Sequence, residues 1–195
     1  MNYLQEFKHI YETKLWGEES PSGNGFKSEV DSKVISIIEE VINKYEVKSI
    51  LDLGCGDWTI MKSVDLSSVD RYVGMDCVEA LIEENIKNYS TDKVSFKYDD
   101  ARTTDLEDFD LIIVRDVLIH YPNESIKIML DAIKNKNYSY LLMTTWQDGD
   151  NSEKFDRFSN ARKVNFFADP FNLSQPDEVF YEDESQSKQL SIWKK

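Results

Sequence analysis

Cysteine, histidine, proline and glycine are all scarce in this chain of 195 residues, at two, two, four and seven. Cys55 and Cys77 build no disulfide framework. With only His9 and His120 beside them, no cysteine/histidine zinc set is available, and no metal site is expected. Positive charge is also short: 23 Lys and Arg stand against 37 Asp and Glu, a formal net charge of −14. Such a chain lacks the field that a phosphate backbone needs, which argues against nucleic acid as the main partner and against an anionic membrane surface. The first twenty residues contain no apolar signal core, and the longest apolar runs, Leu111 to Val114 and Tyr138 to Thr145, fall short of a bilayer. The expectation is a cytoplasmic protein with no membrane partner.

What is present is enough for a core, since 41% of residues are hydrophobic and 12% aromatic, which excludes a disordered tail. The length fits one domain over 1–195. Within it, 1–45 reads as N-terminal helices and a loop, 46–146 as a ligand-binding core, and 147–195 as a lid loop and a C-terminal hairpin. Residues 1–15 and 28–45 carry apolar residues at helical spacing. From 48 onward the period changes. Short apolar strands at 48–53, 71–76, 94–99, 110–114 and 138–145 alternate with helices at 78–89 and 123–134, and a further helix is expected near Asp57. This alternation implies a parallel sheet covered on both faces. Two last runs, 178–183 and 188–193, are close enough to pair as an antiparallel hairpin at a sheet edge.

The sharpest segment is Ile50-Leu51-Asp52-Leu53-Gly54-Cys55-Gly56-Asp57-Trp58. A strand ends in an acid and runs into a turn whose glycines let a ligand approach the backbone. The dinucleotide fingerprint needs a third glycine at 59, where this chain has Thr59. Asp52 and Asp57 flank the turn and would repel a pyrophosphate. They suit a cation, and the ammonium and sulfonium of S-adenosylmethionine fit. Asp76 ends the second strand, 24 residues after Asp52, near the spacing at which a strand-end acid binds ribose hydroxyls. Asp99-Asp100-Ala101 follows the third strand and offers an acceptor and a backbone N–H to an adenine edge. Plainer readings stand beside these: the glycines as a tight turn, and Asp57 as a helix cap.

Together these residues resemble the core of class I S-adenosylmethionine-dependent methyltransferases over residues 48–145, with the D-L-G-C-G signature intact. The resemblance implies a doubly wound, Rossmann-like seven-stranded α/β sheet, mostly parallel, with an antiparallel C-terminal hairpin. It implies S-adenosylmethionine as cofactor and S-adenosylhomocysteine as product. It also implies that Asp52, Gly54 and Gly56 hold the methionine end, with Cys55 and Asp57 in the same cradle. Asp76 would hold the ribose, and Asp100 with Ala101 the adenine. Cys77 lies along the adenine or fills the core.

The fourth strand runs into Val114-Arg115-Asp116-Val117-Leu118-Ile119-His120-Tyr121-Pro122, which should face the transferring methyl. Arg115 contacts the cofactor's methionine part or pairs locally with Asp116. His120 titrates near neutrality and can accept the proton of a substrate hydroxyl, with Asp116 as its orienting partner or an alternative base; otherwise it is a packed histidine. The Asn/Asp-Pro-Pro-aromatic tetrapeptide common in base amino-methyltransferases is absent here, as is a cysteine nucleophile for cytosine C5 chemistry. Oxygen on a small molecule or glycan is the favoured acceptor.

The loop Trp16 to Gly25 mixes an aromatic, acids, hydroxyls and glycines, and Trp16, Ser20, Ser22 and Thr144 are candidate acceptor contacts. Trp16 would stack on a sugar or plug the core. The aromatic run Asn165 to Leu173 anchors a lid or touches substrate. Over nearly the whole chain these features resemble a narrower group of small bacterial and phage-type methyltransferases, with Trp16 to Gly25, Arg115 to His120, Thr144-Thr145 and Asn165 to Phe171 as the matching segments. Phe26 and Trp58 depart from that group's serine and phenylalanine. Members often accompany genes for surface polysaccharides, which points to a glycan-precursor acceptor. The alternatives are a chain that holds the cofactor as a silent sensor or partner subunit, and a nicotinamide oxidoreductase.

Overall fold

The computed structural model describes residues 3–17, 28–102, 108–152 and 155–195. Ser20 and Ser22 lie outside them. Helices α1 (Tyr3–Glu12) and α2 (Ser28–Lys44) precede β1 (Ser49–Leu53), β2 (Arg71–Asp76), α3 (Glu79–Tyr89), β3 (Val94–Tyr98), β4 (Phe109–Val114), α4 (Asn123–Lys134), β5 (Tyr138–Thr145), β6 (Glu178–Asp183) and β7 (Lys188–Lys194). The seven strands form one sheet in the order β3-β2-β1-β4-β5-β7-β6. The first five are parallel, and β7 runs antiparallel to both β5 and β6. The expected doubly wound sheet with an antiparallel C-terminal hairpin is therefore present.

Its centre is apolar on both sides. In β1 and β4 successive residues alternate between faces, yet Ile50 to Leu53 and Leu111 to Val114 are all buried. Helices supply the cover from single apolar stripes: Val34, Ile38, Val41 and Ile42 of α2, Leu81 and Ile82 of α3, and Ile126, Met129 and Ile133 of α4 are buried. Helix α2 is also tied to the edge strand, where Lys44 Nζ and Tyr45 OH donate to the Glu178 carboxylate at 2.7 and 2.9 Å.

One expected element is absent. The chain after Asp57 forms turns and a short 3-10 segment, Met61–Ser63, instead of an α-helix. The Thr59 N–H donates to Asp57 Oδ1 at 3.1 Å, so Asp57 closes a local turn and caps no helix. Trp58 takes φ +60° and is buried against Tyr72, Tyr89 and Phe96, with ring centroids 5.8, 5.0 and 5.4 Å away. Burying the indole outweighs continuing a helix.

Strands β1 to β3 progress to one side and β4 starts the other, so the order reverses between β1 and β4. The carboxyl ends of those strands leave a crevice there, which is where this architecture binds ligands.

Candidate active site

A cavity of about 810 Å³ opens at that crevice. Three chain segments build its floor. The Gly54 and Cys55 N–H groups both donate to the Met75 carbonyl, at 2.7 and 3.0 Å, which folds the turn over the end of β2. Gly54 sits at φ +74°, and a Cβ there would meet Val117 Cγ2 at 2.3 Å, so only glycine fits. The Gly56 peptide is held from both sides: its N–H donates to Asp76 Oδ2 at 3.2 Å, and its carbonyl accepts from Asn85 Nδ2 at 2.7 Å. Asn85 is buried on α3, and the sequence reading overlooked it. Gly74 is required one layer down, because a Cβ would meet Phe96 at 2.8 Å and Cys55 Sγ at 3.0 Å.

The acids are where the pattern puts them. Asp52, Asp57, Asp76 and Asp100 line the cavity with Gly54, Cys55, Gly56, Cys77 and Ala101. Burial pushes the carboxyls of Asp52 and Asp76 up to about 6. For Asp52 the Tyr72 hydroxyl, donating to Oδ2 at 2.6 Å, and the Arg115 charge oppose that shift. For Asp76 the backbone N–H groups of Gly56, Val78 and Cys77 oppose it. Burial also pushes both cysteine thiols up, so neither is a nucleophile. At the far side the Tyr3 hydroxyl donates to Asp100 Oδ2, and the Arg102 guanidinium lies 3.5 Å from the Tyr3 ring centroid while pairing with Asp100 at 3.4 Å. This strap ties α1 to the segment expected to meet adenine.

The opposite end holds Arg115, Asp116, His120 and Trp16. Asp116 sits at φ +57°, and its N–H donates to Thr144 Oγ1 at 2.9 Å. Thr144 is only 2% exposed, so its hydroxyl supports Asp116 and does not line the cavity. Arg115 and Asp116 form the local pair at 3.4 Å, but two residues from the C-terminal hairpin complete it. Arg115 Nη2 donates to Glu182 Oε1 at 2.6 Å, and Lys188 Nζ donates to Asp116 Oδ2 and Glu182 Oε1 at 2.6 and 2.8 Å. The Arg115 and Lys188 cations hold Asp116 below the ordinary carboxylate range in spite of its burial.

His120 is covered. Trp16 stacks on it with centroids 4.6 Å apart, and the indole N–H donates to the Ser159 carbonyl at 2.9 Å. Burial holds the imidazole below its ordinary value, against the Asp116 charge and hydrogen bonds with the backbone of Asn160 and Phe158, so the ring is neutral at neutral pH. His120 Nδ1 and Asp116 Oδ1 are both buried without a partner among the described residues, so those atoms do not join the two side chains. Phe166 is fully buried away from the cavity and serves as an anchor. Among the described residues no cluster of His, Cys, Asp and Glu is arranged to hold a metal.

The donor set suits a cationic adenosyl ligand: acids at three strand ends, a loop that only glycine can form, and thiols kept neutral. The comparisons agree. A family model described as a methyltransferase domain matches residues 50–136. Among solved structures, the chain is similar to the N-methyltransferase NodS from Bradyrhizobium japonicum bound to S-adenosylhomocysteine, at 14% identity and TM-score 0.69 over 100% of this chain and 98% of that one. It is similar to an S-adenosylmethionine-dependent methyltransferase from Leishmania major, at 13% identity and TM-score 0.72 over 97% and 82%. It is also similar to magnesium protoporphyrin IX methyltransferase from Synechocystis with bound S-adenosylmethionine, at 16% identity and TM-score 0.57 over 98% and 82%. A search of the curated proteins gives no match. Over residues 50–136 the chain matches the methyltransferase-domain model, and the solved structures share its fold.

Proposed function

We propose that the whole chain is one catalytic unit that methylates an oxygen of a small polar metabolite, sugar or glycan precursor. The carrying observation is the Asp76–Gly56–Asn85 clamp in the floor of an acid-lined cavity at the ends of β1 and β4. S-adenosylmethionine supplies an activated methyl group when bound. In this reading Asp52, Gly54, Cys55, Gly56 and Asp57 hold its methionine end together with Arg115. Asp76 takes the ribose, and Cys77, Asp100 and Ala101 take the adenine. The acceptor enters at the Trp16 end, with Ser20 and Ser22 as further contacts, and the neutral His120 removes the hydroxyl proton as the methyl arrives. Asp116, held by Lys188 and Thr144, is the alternative base. Trp16 must leave the imidazole face for His120 to act. The acidic composition supports an enzyme without nucleic-acid or anionic-membrane partners, and the scarcity of cysteine supports a cytoplasmic one. The narrower resemblance supports a role in polysaccharide modification.

Calorimetric titration of S-adenosylmethionine and S-adenosylhomocysteine, with NADH as control, tests the reading. Both adenosyl ligands should bind, NADH should not, and Asp76→Ala should weaken both by at least about tenfold, roughly 1.4 kcal/mol. A folded protein that binds neither ligand sinks the proposal. Turnover with an acceptor, lost in His120→Ala while cofactor binding persists, separates an enzyme from a silent sensor.

A further inference from the structure

Arg115 is the electrostatic hub of the cavity's acceptor end. Asp116, Glu182 and Asp31 all act on its guanidinium, and its charge acts in turn on Asp52. Arg115 and Lys188 both point at Glu182 Oε1 and Asp116 Oδ2, at 2.6 and 3.4 Å and at 2.8 and 2.6 Å. The other oxygens, Glu182 Oε2 and Asp116 Oδ1, are buried with no partner among the described residues, and so is Asp31 Oδ2 of α2. Asp31 and Glu182 are 8% and 2% exposed, and all three acids line the cavity. A buried carboxylate oxygen without a donor is costly, and a ligand that brings the donor recovers that cost.

The formal charges do not balance. Among the described residues, the cations set against Asp31, Asp52, Asp116 and Glu182 are Arg115 and Lys188. S-adenosylmethionine adds a single net positive charge, its ammonium and sulfonium less its carboxylate, so one negative charge stays unanswered. Two further cations of the lining have partners of their own. Lys163 Nζ is 2.9 Å from Asp148, and Arg162 Nη2 donates to the Tyr121 carbonyl at 3.0 Å and to Asn123 Oδ1 at 2.5 Å. A phosphate placed here meets unsatisfied carboxylates, whereas an ammonium supplies the missing donors and the missing charge.

We propose that Asp31, Asp116 and Glu182 form a cation-recognising subsite, and that the methyl acceptor carries a protonated amine and no phosphate. This rests on the methyltransferase reading above. The amine is the handle by which the acceptor is held, and a neighbouring hydroxyl is the nucleophile, since a protonated amine has no lone pair to give.

The test uses the full chain saturated with S-adenosylhomocysteine, whose binding is first measured by calorimetry. D-Glucosamine, D-glucose and D-glucose 6-phosphate, matched in scaffold, are then compared by ligand-observed saturation-transfer NMR at neutral pH. Glucosamine should bind best and the phosphate worst. Asp31→Asn should weaken glucosamine at least about tenfold while leaving the melting temperature and the S-adenosylhomocysteine affinity near wild type, and Asp116→Asn, which also breaks a buried pair and so lowers the melting temperature, should weaken glucosamine by the same factor. Preference for the phosphate overturns the subsite, as do absence of a glucosamine signal and amine binding that both variants retain. Glucosamine displaced by S-adenosylhomocysteine would put the amine in the cofactor's place and overturn it too. Failure of S-adenosylhomocysteine itself to bind is a separate outcome, which removes the methyltransferase reading and this inference with it.

Discussion

Asp52 is buried to 5% exposure, with one carboxylate oxygen taken by the Tyr72 hydroxyl at 2.6 Å. Its carboxyl is pushed from 3.8 to about 6 by burial, and Asp76 shares that direction and value. Between 3.8 and about 6 the folded chain therefore holds more protons at these sites than the unfolded chain does. Stability falls as pH rises through that window, and above it the ligand-free fold bears the cost of both charges. Asp52→Asn keeps an acceptor for Tyr72 and removes one charge. The ligand-free variant should be more stable than wild type at pH 7.5 by roughly 1–3 kcal/mol, and the gap should close below pH 4. Denaturant unfolding at the two pH values checks this. Equal stability at pH 7.5 would show that Asp52 carries no such burden. Calorimetry on the same variant should show weakened S-adenosylmethionine, because a site strained for its ligand trades stability for binding.

At the scale of elements, the C-terminal hairpin matters more than its place beyond the parallel core suggests. Strand β7 pairs with β5 so that Thr144 lies opposite Leu190 and Thr145 opposite Gln189, which brings Lys188 to the end of the sheet where β4 delivers Asp116. The hairpin turn is fixed locally, with Asp183 Oδ1 accepting from the Ser185 N–H at 2.9 Å and Ser187 at φ +54°. Removing Lys188 charge leaves Asp116 and Glu182 sharing Arg115 alone. Lys188→Met should destabilise the fold by about 3–5 kcal/mol, the usual range for breaking a buried pair, and should raise the Asp116 carboxyl. Urea unfolding reads the first effect. A loss under about 0.5 kcal/mol would reduce the contact to a surface pair.

For the whole molecule, charge is the dominant statement. A chain with formal net charge −14 concentrates acids around its cavity, and such a field should favour a sulfonium cofactor over its uncharged-sulfur product. Salt screens that field. Raising ionic strength from about 50 mM to about 500 mM should weaken S-adenosylmethionine more than S-adenosylhomocysteine, narrowing the ratio of their dissociation constants. Paired titrations at the two salt concentrations decide it; a constant ratio would mean that short-range contacts alone set the preference. Among the described residues no helix is long and apolar enough to cross a membrane.

Much of this was legible in the order of residues. Apolar runs at period 2 and helical stripes at period 3.6 are local properties, so the strands, α2 to α4 and the sheet class follow from them. The glycine turn and the strand-end acids Asp52 and Asp76 were legible for the same reason, because a strand's end is a position in the sequence. The helix expected after Asp57 was not realised, since its fate depended on Trp58 finding Tyr72, Tyr89 and Phe96. The parts that only tertiary structure decided are the pairings across long separations. These are Tyr3 with Asp100, Asn85 with the Gly56 carbonyl, Trp16 over His120, and Glu182 and Lys188 with Arg115 and Asp116. The physical reason is that a charge in a sequence has no partner until folding supplies one. Folding then decides which carboxylate oxygens meet a donor and which do not.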